Sequence, residues 1–131
     1  MRRLDKEKIE TSLAPEAIGP YSQGVKCSAG SFVFVSGQIA AVASGGIAGE
    51  TAGEQADQCL VNIAAILEAA GADMDSVVKV TLYLKSMEDF SEVNEVYSRF
   101  FEAPYPARAC IGGLDLPRGA LVEIEAIAAL G

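Results

Sequence analysis

Arg108, Cys110, Glu123 and Glu125 are the residues whose types and spacing could do chemistry, and all four fall between Pro106 and Ala128. That stretch reads as two strands joined by a turn that Pro117 and Gly119 punctuate. Side chains alternate with period two, so Arg108, Cys110 and Gly112 share one face of the first strand, opposite Ala107, Ala109, Ile111 and Gly113. In the second, Leu121, Glu123, Glu125 and Ile127 oppose Val122, Ile124, Ala126 and Ala128. If the latter four pack into the core, two carboxylates and one guanidinium emerge together on the other face. A guanidinium can grip a carboxylate by two parallel hydrogen bonds, and a carboxylate can take a proton from water. The same residues also fit an ordinary cross-strand ion pair, worth a few tenths of a kcal/mol up to about 1 kcal/mol. Alternation alone does not rank Glu123 against Glu125.

Composition narrows the chemistry further. The chain has no histidine, which removes every mechanism resting on a His base or ligand and the usual zinc sites. Proton transfer then falls to Glu, Asp, Tyr, Lys, Cys or water. Cys27, Cys59 and Cys110 are odd in number and widely spaced, which argues against a disulfide framework or a metal site and for a cytoplasmic protein. A net charge of −8 disfavours nucleic acid and anionic membrane as partners. No run of about twenty apolar residues suggests a membrane span, and the charged start, Arg2-Arg3 followed by Asp5 to Lys8, does not read as a secretory signal. With 131 residues, half of them hydrophobic, the chain is expected to form one domain over 1–131.

The elements that must position these residues follow from periodicity. Met1 to Ser12 is charged and reads as a loosely attached leader, with 1–14 as its outer bound, and Pro15 and Gly19-Pro20 mark an extended approach to the first strand. Val25 to Cys27 and Phe32 to Ser36 read as hairpin arms around Ser28 to Ser31, the second arm buried on both faces by Phe32, Phe34, Val33 and Val35. Gly37 follows, where a bare backbone permits close approach. The glycine-rich run Ala43 to Gly49 lacks both phosphate-binding fingerprints and reads as a flexible loop.

Thr51 and Glu54 have the spacing of a capping box, and Ala56, Cys59, Leu60, Ile63, Ile66, Leu67 and Ala70 form a helical stripe ending at Gly71. Val78, Val80, Leu82 and Leu84 alternate with Lys79, Thr81, Tyr83 and Lys85 as a strand with one core face. Ser86 and Asp89 can open a second helix with Phe90, Val93, Tyr97, Phe100 and Phe101 on its apolar side and Asn94 beside them. The order predicts an α+β domain: one mixed sheet with two helices on one face. Leu121, Ile127 and Tyr83 are left on the uncovered face, which predicts self-association.

Four segments, in order, resemble the RidA (YjgF-type) family of reactive enamine and imine deaminases: Gly19 to Gln23, Val35 to Gln38, Asp89 to Asn94, and Pro106 to Cys110 followed by Leu121 to Ala128. The resemblance covers nearly the whole chain. It implies a chorismate-mutase-like homotrimer with the sheets facing inward and ligand sites between subunits. It also implies hydrolysis of 2-enamine and 2-imine acids, such as 2-aminoacrylate and 2-iminobutanoate, to 2-keto acids and ammonia, with no cofactor. Arg108 would hold the substrate carboxylate and Glu123 would handle water and protons, preferred over Glu125 on family position. Tyr21, Ser36 and Gly37 would shape the pocket, and the backbone at Cys110 would supply hydrogen bonds. Gly112-Gly113 replaces bulkier or charged residues of many family members, a departure that bears on pocket size. The rival functions are a module that binds a 2-keto acid or related metabolite without turnover, and a ribonuclease or translation inhibitor, which the charge and the missing histidine disfavour.

Overall fold

The computed structural model describes residues 5–131. Its elements run β1 (Asp5–Ile9), β2 (Gly24–Ser28), β3 (Ser31–Gln38), α1 (Ala52–Ala69), β4 (Val77–Leu84), α2 (Phe90–Ser98), β5 (Ala107–Ile111) and β6 (Val122–Leu130). Strands β3, β6, β4 and β5 lie side by side in that order, antiparallel except for the parallel β4–β5 pair. Parallel neighbours need a crossover, and α2 supplies it. The α+β class, a mixed sheet with two helices on one face, is the one the sequence predicts. Among the described residues, no helix is long and apolar enough to cross a membrane.

The capping box forms as its spacing demands: Thr51 Oγ1 accepts from Glu54 N and Glu54 Oε1 accepts from Thr51 N, each at 3.1 Å. These bonds satisfy two amides that the first helical turn leaves without partners. At the other end Gly71 turns the chain away with φ +79°. Between them Ala56, Cys59, Leu60, Ile63 and Leu67 are buried against Val80, Leu82, Val122 and Ile124 of the sheet. Each such aliphatic side chain contributes about 1.5–3 kcal/mol, so Leu60→Ala should cost about 2–5 kcal/mol. Ile66 and Ala70, placed on the stripe by the sequence, are exposed on its flank.

Several expectations change. β5 and β6 are not neighbours, because β4 pairs with both and lies between them. The proposed hairpin of Val25–Cys27 with Phe32–Ser36 does not form: β2 pairs with β1, and β3 turns to β6, with Gly30 N donating to Leu130 O at 2.7 Å. β3 is then buried on one face only; Val35 is in the core while Phe32 and Phe34 are 54% and 73% exposed. Strand periodicity marks faces but does not choose partners.

The other changes are local. The expected leader is partly structured, since Asp5–Ile9 is a strand and the Gln23 amide clasps the next turn, accepting from Thr11 N and donating to Pro15 O, both at 2.7 Å. Charged, exposed side chains concealed a strand held by its backbone ladder; Met1–Leu4 lie outside the described residues. In β4 the register shifts between Val77 and Lys79, so Val77 enters the core in place of Val78. Leu121, expected on the open face, packs against the core.

Candidate functional site

Register decides where the chemistry sits. Arg108 pairs with Val80 and Cys110 with Leu82, and both partners are buried under the helices, so Arg108 and Cys110 face the helical side. Glu123 pairs with Tyr83 and Glu125 with Thr81 on the opposite, open face. The guanidinium and the carboxylates, expected on one face, are therefore on two. Alternation orders residues within a strand, but relative phase across the intervening β4 is set by the ladder.

On the helical side Arg108 stands in an aromatic cage. Its guanidinium carbon lies 4.8 Å from the Tyr97 ring centre, 5.3 Å from Tyr21 and 5.7 Å from Phe90. Phe90, Asn94 and Tyr97 recur at four and three residues and so share one face of α2. Arg108 Nη1 donates to Asn94 Oδ1 at 2.8 Å. Among the described residues no carboxylate is within ion-pair distance of Arg108, and the ion pairs are Lys8–Glu10 and Arg99–Glu95. Partial burial lowers the Arg108 pKa, opposed by the nearby Tyr97, Cys110 and Tyr21 groups, yet arginine remains charged at any ordinary pH.

Two neighbours complete this half. The Tyr97 hydroxyl is fully buried without a hydrogen-bond partner, and burial pushes its pKa far upward. Burial also raises the Cys110 thiol against the opposing effect of Arg108, which leaves it a poor nucleophile at neutral pH. Of this half, the sequence reading anticipated Tyr21, Arg108 and Cys110 and missed Phe90, Asn94 and Tyr97. The available signal was one polar residue, Asn94, interrupting an aromatic stripe.

On the open side β3 carries a bulge: Val35 pairs with Ala126 and Gln38 with Ile124, leaving Ser36 and Gly37 opposite Glu125. A Cβ on Gly37 would collide with Glu123 Oε2 and come within 2.9 Å of its Cδ. The glycine is needed for that close approach. Glu125 is engaged differently, accepting from Tyr83 Oη at 2.7 Å, and this bond raises the Tyr83 pKa. Glu123 accepts no hydrogen bond among the described residues. Ser36, Lys79, Thr81, Glu125, Phe34 and Ile127 line an adjoining groove of about 280 Å³.

Two further features adjoin these halves. A larger cavity of about 710 Å³ is lined by the Gln23-clasped loop, Tyr21 and Tyr105, but by neither Arg108 nor Glu123. Gly112, at the end of β5, is covered by the Met87 side chain, with Sδ 2.6 Å from where a Cβ would stand.

The family described as endoribonuclease L-PSP matches residues 11–130. The chain is 50% identical to the RutC family protein y4sK of Sinorhizobium fredii, over 95% of this chain and 98% of the relative. It is 46% identical to the 2-iminobutanoate/2-iminopropanoate deaminase of Bos taurus, over 100% of this chain and 95% of that protein. This chain belongs to the RidA family. The solved structure of E. coli TdcF with bound serine aligns with TM-score 0.73 at 43% identity, covering 95% of this chain and 99% of that one. RidA membership accounts for both the mixed sheet and the order of the four sequence segments.

Proposed function

We propose that the protein hydrolyses reactive 2-imino acids, arising from 2-enamine acids such as 2-aminoacrylate, to 2-keto acids and ammonia. The observation that carries this reading is Arg108: a half-buried cation in an aromatic cage, with no carboxylate of its own among the described residues. Its fork takes the substrate carboxylate in two parallel hydrogen bonds. The serine bound to E. coli TdcF and the imino acids on which the Bos taurus deaminase acts are small molecules bearing such a carboxylate.

Glu123 then takes a proton from water as the water oxygen bonds to the imine carbon. The electrons of the C=N bond pass to nitrogen, which takes the proton back from Glu123 to give a carbinolamine. Glu123 then carries the hydroxyl proton to the amine nitrogen as C=O forms, C–N breaks and ammonia leaves. The imine is already electrophilic, so orientation and one carboxylate suffice without metal or organic cofactor. Tyr21 stacks beside the carboxylate grip, while Ser36 and Gly37 shape the water side. β5 is an edge strand, and its backbone at Cys110 offers further hydrogen bonds to the ligand.

Arg108 and Glu123 occupy opposite faces of one sheet, so the complete site combines Arg108 of one copy with Glu123 of another. This arrangement supports a homotrimer in which the open faces, bearing Phe34, Ile127 and Tyr83, meet at the centre. The same separation favours one rival. A single copy has a carboxylate grip and no base beside it, which is the constitution of a module that binds 2-keto acids without turnover. Against a ribonuclease stand the −8 charge and the absence of histidine.

Ammonia release from freshly generated 2-aminoacrylate decides between these readings. Acceleration over the uncatalysed reaction that Arg108→Ala removes is the expected result. Saturable pyruvate binding with no acceleration establishes the binding module instead.

A further inference from the structure

The surroundings of Arg108 are as informative as the arginine. A guanidinium drawn partly out of water is usually offset by a carboxylate. Here the compensation is entirely neutral: three ring faces and the amide oxygen of Asn94. The amide must present its oxygen, because a guanidinium has no acceptor. α2 and its approach are not short of acid, carrying Glu88, Asp89, Glu92 and Glu95. Glu92 and Glu95 are exposed, and the position turned toward Arg108 is an amide.

We propose that Asn94 is a positioning residue that aims the Arg108 guanidinium while leaving its charge free for an incoming carboxylate. Asn94 engages one N–H of Nη1, and Arg108 donates to no other acceptor among the described residues. The ring faces restrain the plane of the fork without neutralising it. An aspartate here would make the same hydrogen bond and cancel the charge, so the site distinguishes two side chains of nearly equal shape. The inference rests on the reading that Arg108 grips the substrate carboxylate.

Pyruvate and its neutral amide, measured calorimetrically on the assembled protein with parallel thermal unfolding, test it. Asn94→Asp should bind pyruvate at least about tenfold more weakly, whereas Asn94→Ala, which keeps the charge and loses the aim, should lose only a few-fold. Thermal stability should run the other way, with Asp above Ala, because Asp retains a bond to the buried guanidinium. A purely structural role requires Ala to be the worse variant in both measurements, and that result overturns the proposal. Affinity for the neutral amide should change little between Asp and Ala; an equal loss for both ligands likewise overturns it. Pyruvate binding that Arg108→Ala leaves intact removes the underlying reading itself, an outcome distinct from failure of the Asn94 variants alone.

Discussion

The Glu123 carboxylate rests on the bare Cα of Gly37, at the bulge that interrupts β3. A methyl group at Gly37 would occupy the place of Glu123 Oε2, and the carboxylate, as the far end of a flexible side chain, would swing aside. Gly37→Ala should therefore cost at most about 1 kcal/mol of stability while lowering turnover by about tenfold or more. Thermal unfolding and ammonia release on the same preparation check this. Unchanged turnover would detach Gly37 from the site.

Glu123→Gln should keep pyruvate binding and lose most turnover, since it preserves shape and removes the base. Glu125→Gln should leave turnover largely intact and register instead at Tyr83. That phenol donates to the Glu125 carboxylate and is held above its ordinary pKa by it. Removing the carboxylate should shift tyrosinate absorbance to lower pH. Loss of deamination in Glu125→Gln alone would transfer the catalytic role to Glu125.

Placement of Arg108 and Glu123 on opposite faces gives a test of subunit sharing. The Arg108→Ala and Glu123→Gln proteins should each be close to inactive, and Arg108→Lys impaired because it keeps charge without the fork. Co-assembled mixtures should regain activity at about one site in four, the chance that a symmetric interface joins the two intact residues. Mixtures as inactive as their parents, despite verified subunit exchange, would place both residues in one copy's site. Sedimentation equilibrium should show a trimer at micromolar concentration.

Cys59 sits on the buried face of α1, with its thiol pushed up from 9.0 to about 12, first by burial and then by the Glu123 charge. A raised acid is protonated when folded, so its stabilisation is complete below about pH 9 and is lost as pH climbs toward 12. The shift corresponds to roughly 4 kcal/mol at most. Urea midpoints under reducing conditions should fall across that interval, and Cys59→Ala should flatten the fall while lowering stability at neutral pH through the cavity it leaves. An equally steep fall in Cys59→Ala would exclude this thiol as a source.

The sequence by itself determined the local chemistry and the faces of individual elements. Thr51 and Glu54 specify a helix start because their bonds span three residues, and Val122, Ile124, Ala126 and Ala128 specify a core face because alternation is a property of one strand. Family segments located Tyr21, Ser36, Gly37, Arg108, Cys110 and Glu123. Only the tertiary structure decided how these residues divide. Insertion of β4 between β5 and β6 put Arg108 under α2 and Glu123 against Gly37, and Phe34 stays exposed because the helices cover only the other face of the sheet. Strand partners and register are set by ladders between residues distant in sequence, and period two carries no information about which ladder forms. The role of Asn94 was hidden for the same reason, since an amide on an aromatic stripe acquires meaning only from the guanidinium that the β4–α2–β5 crossover brings beneath it.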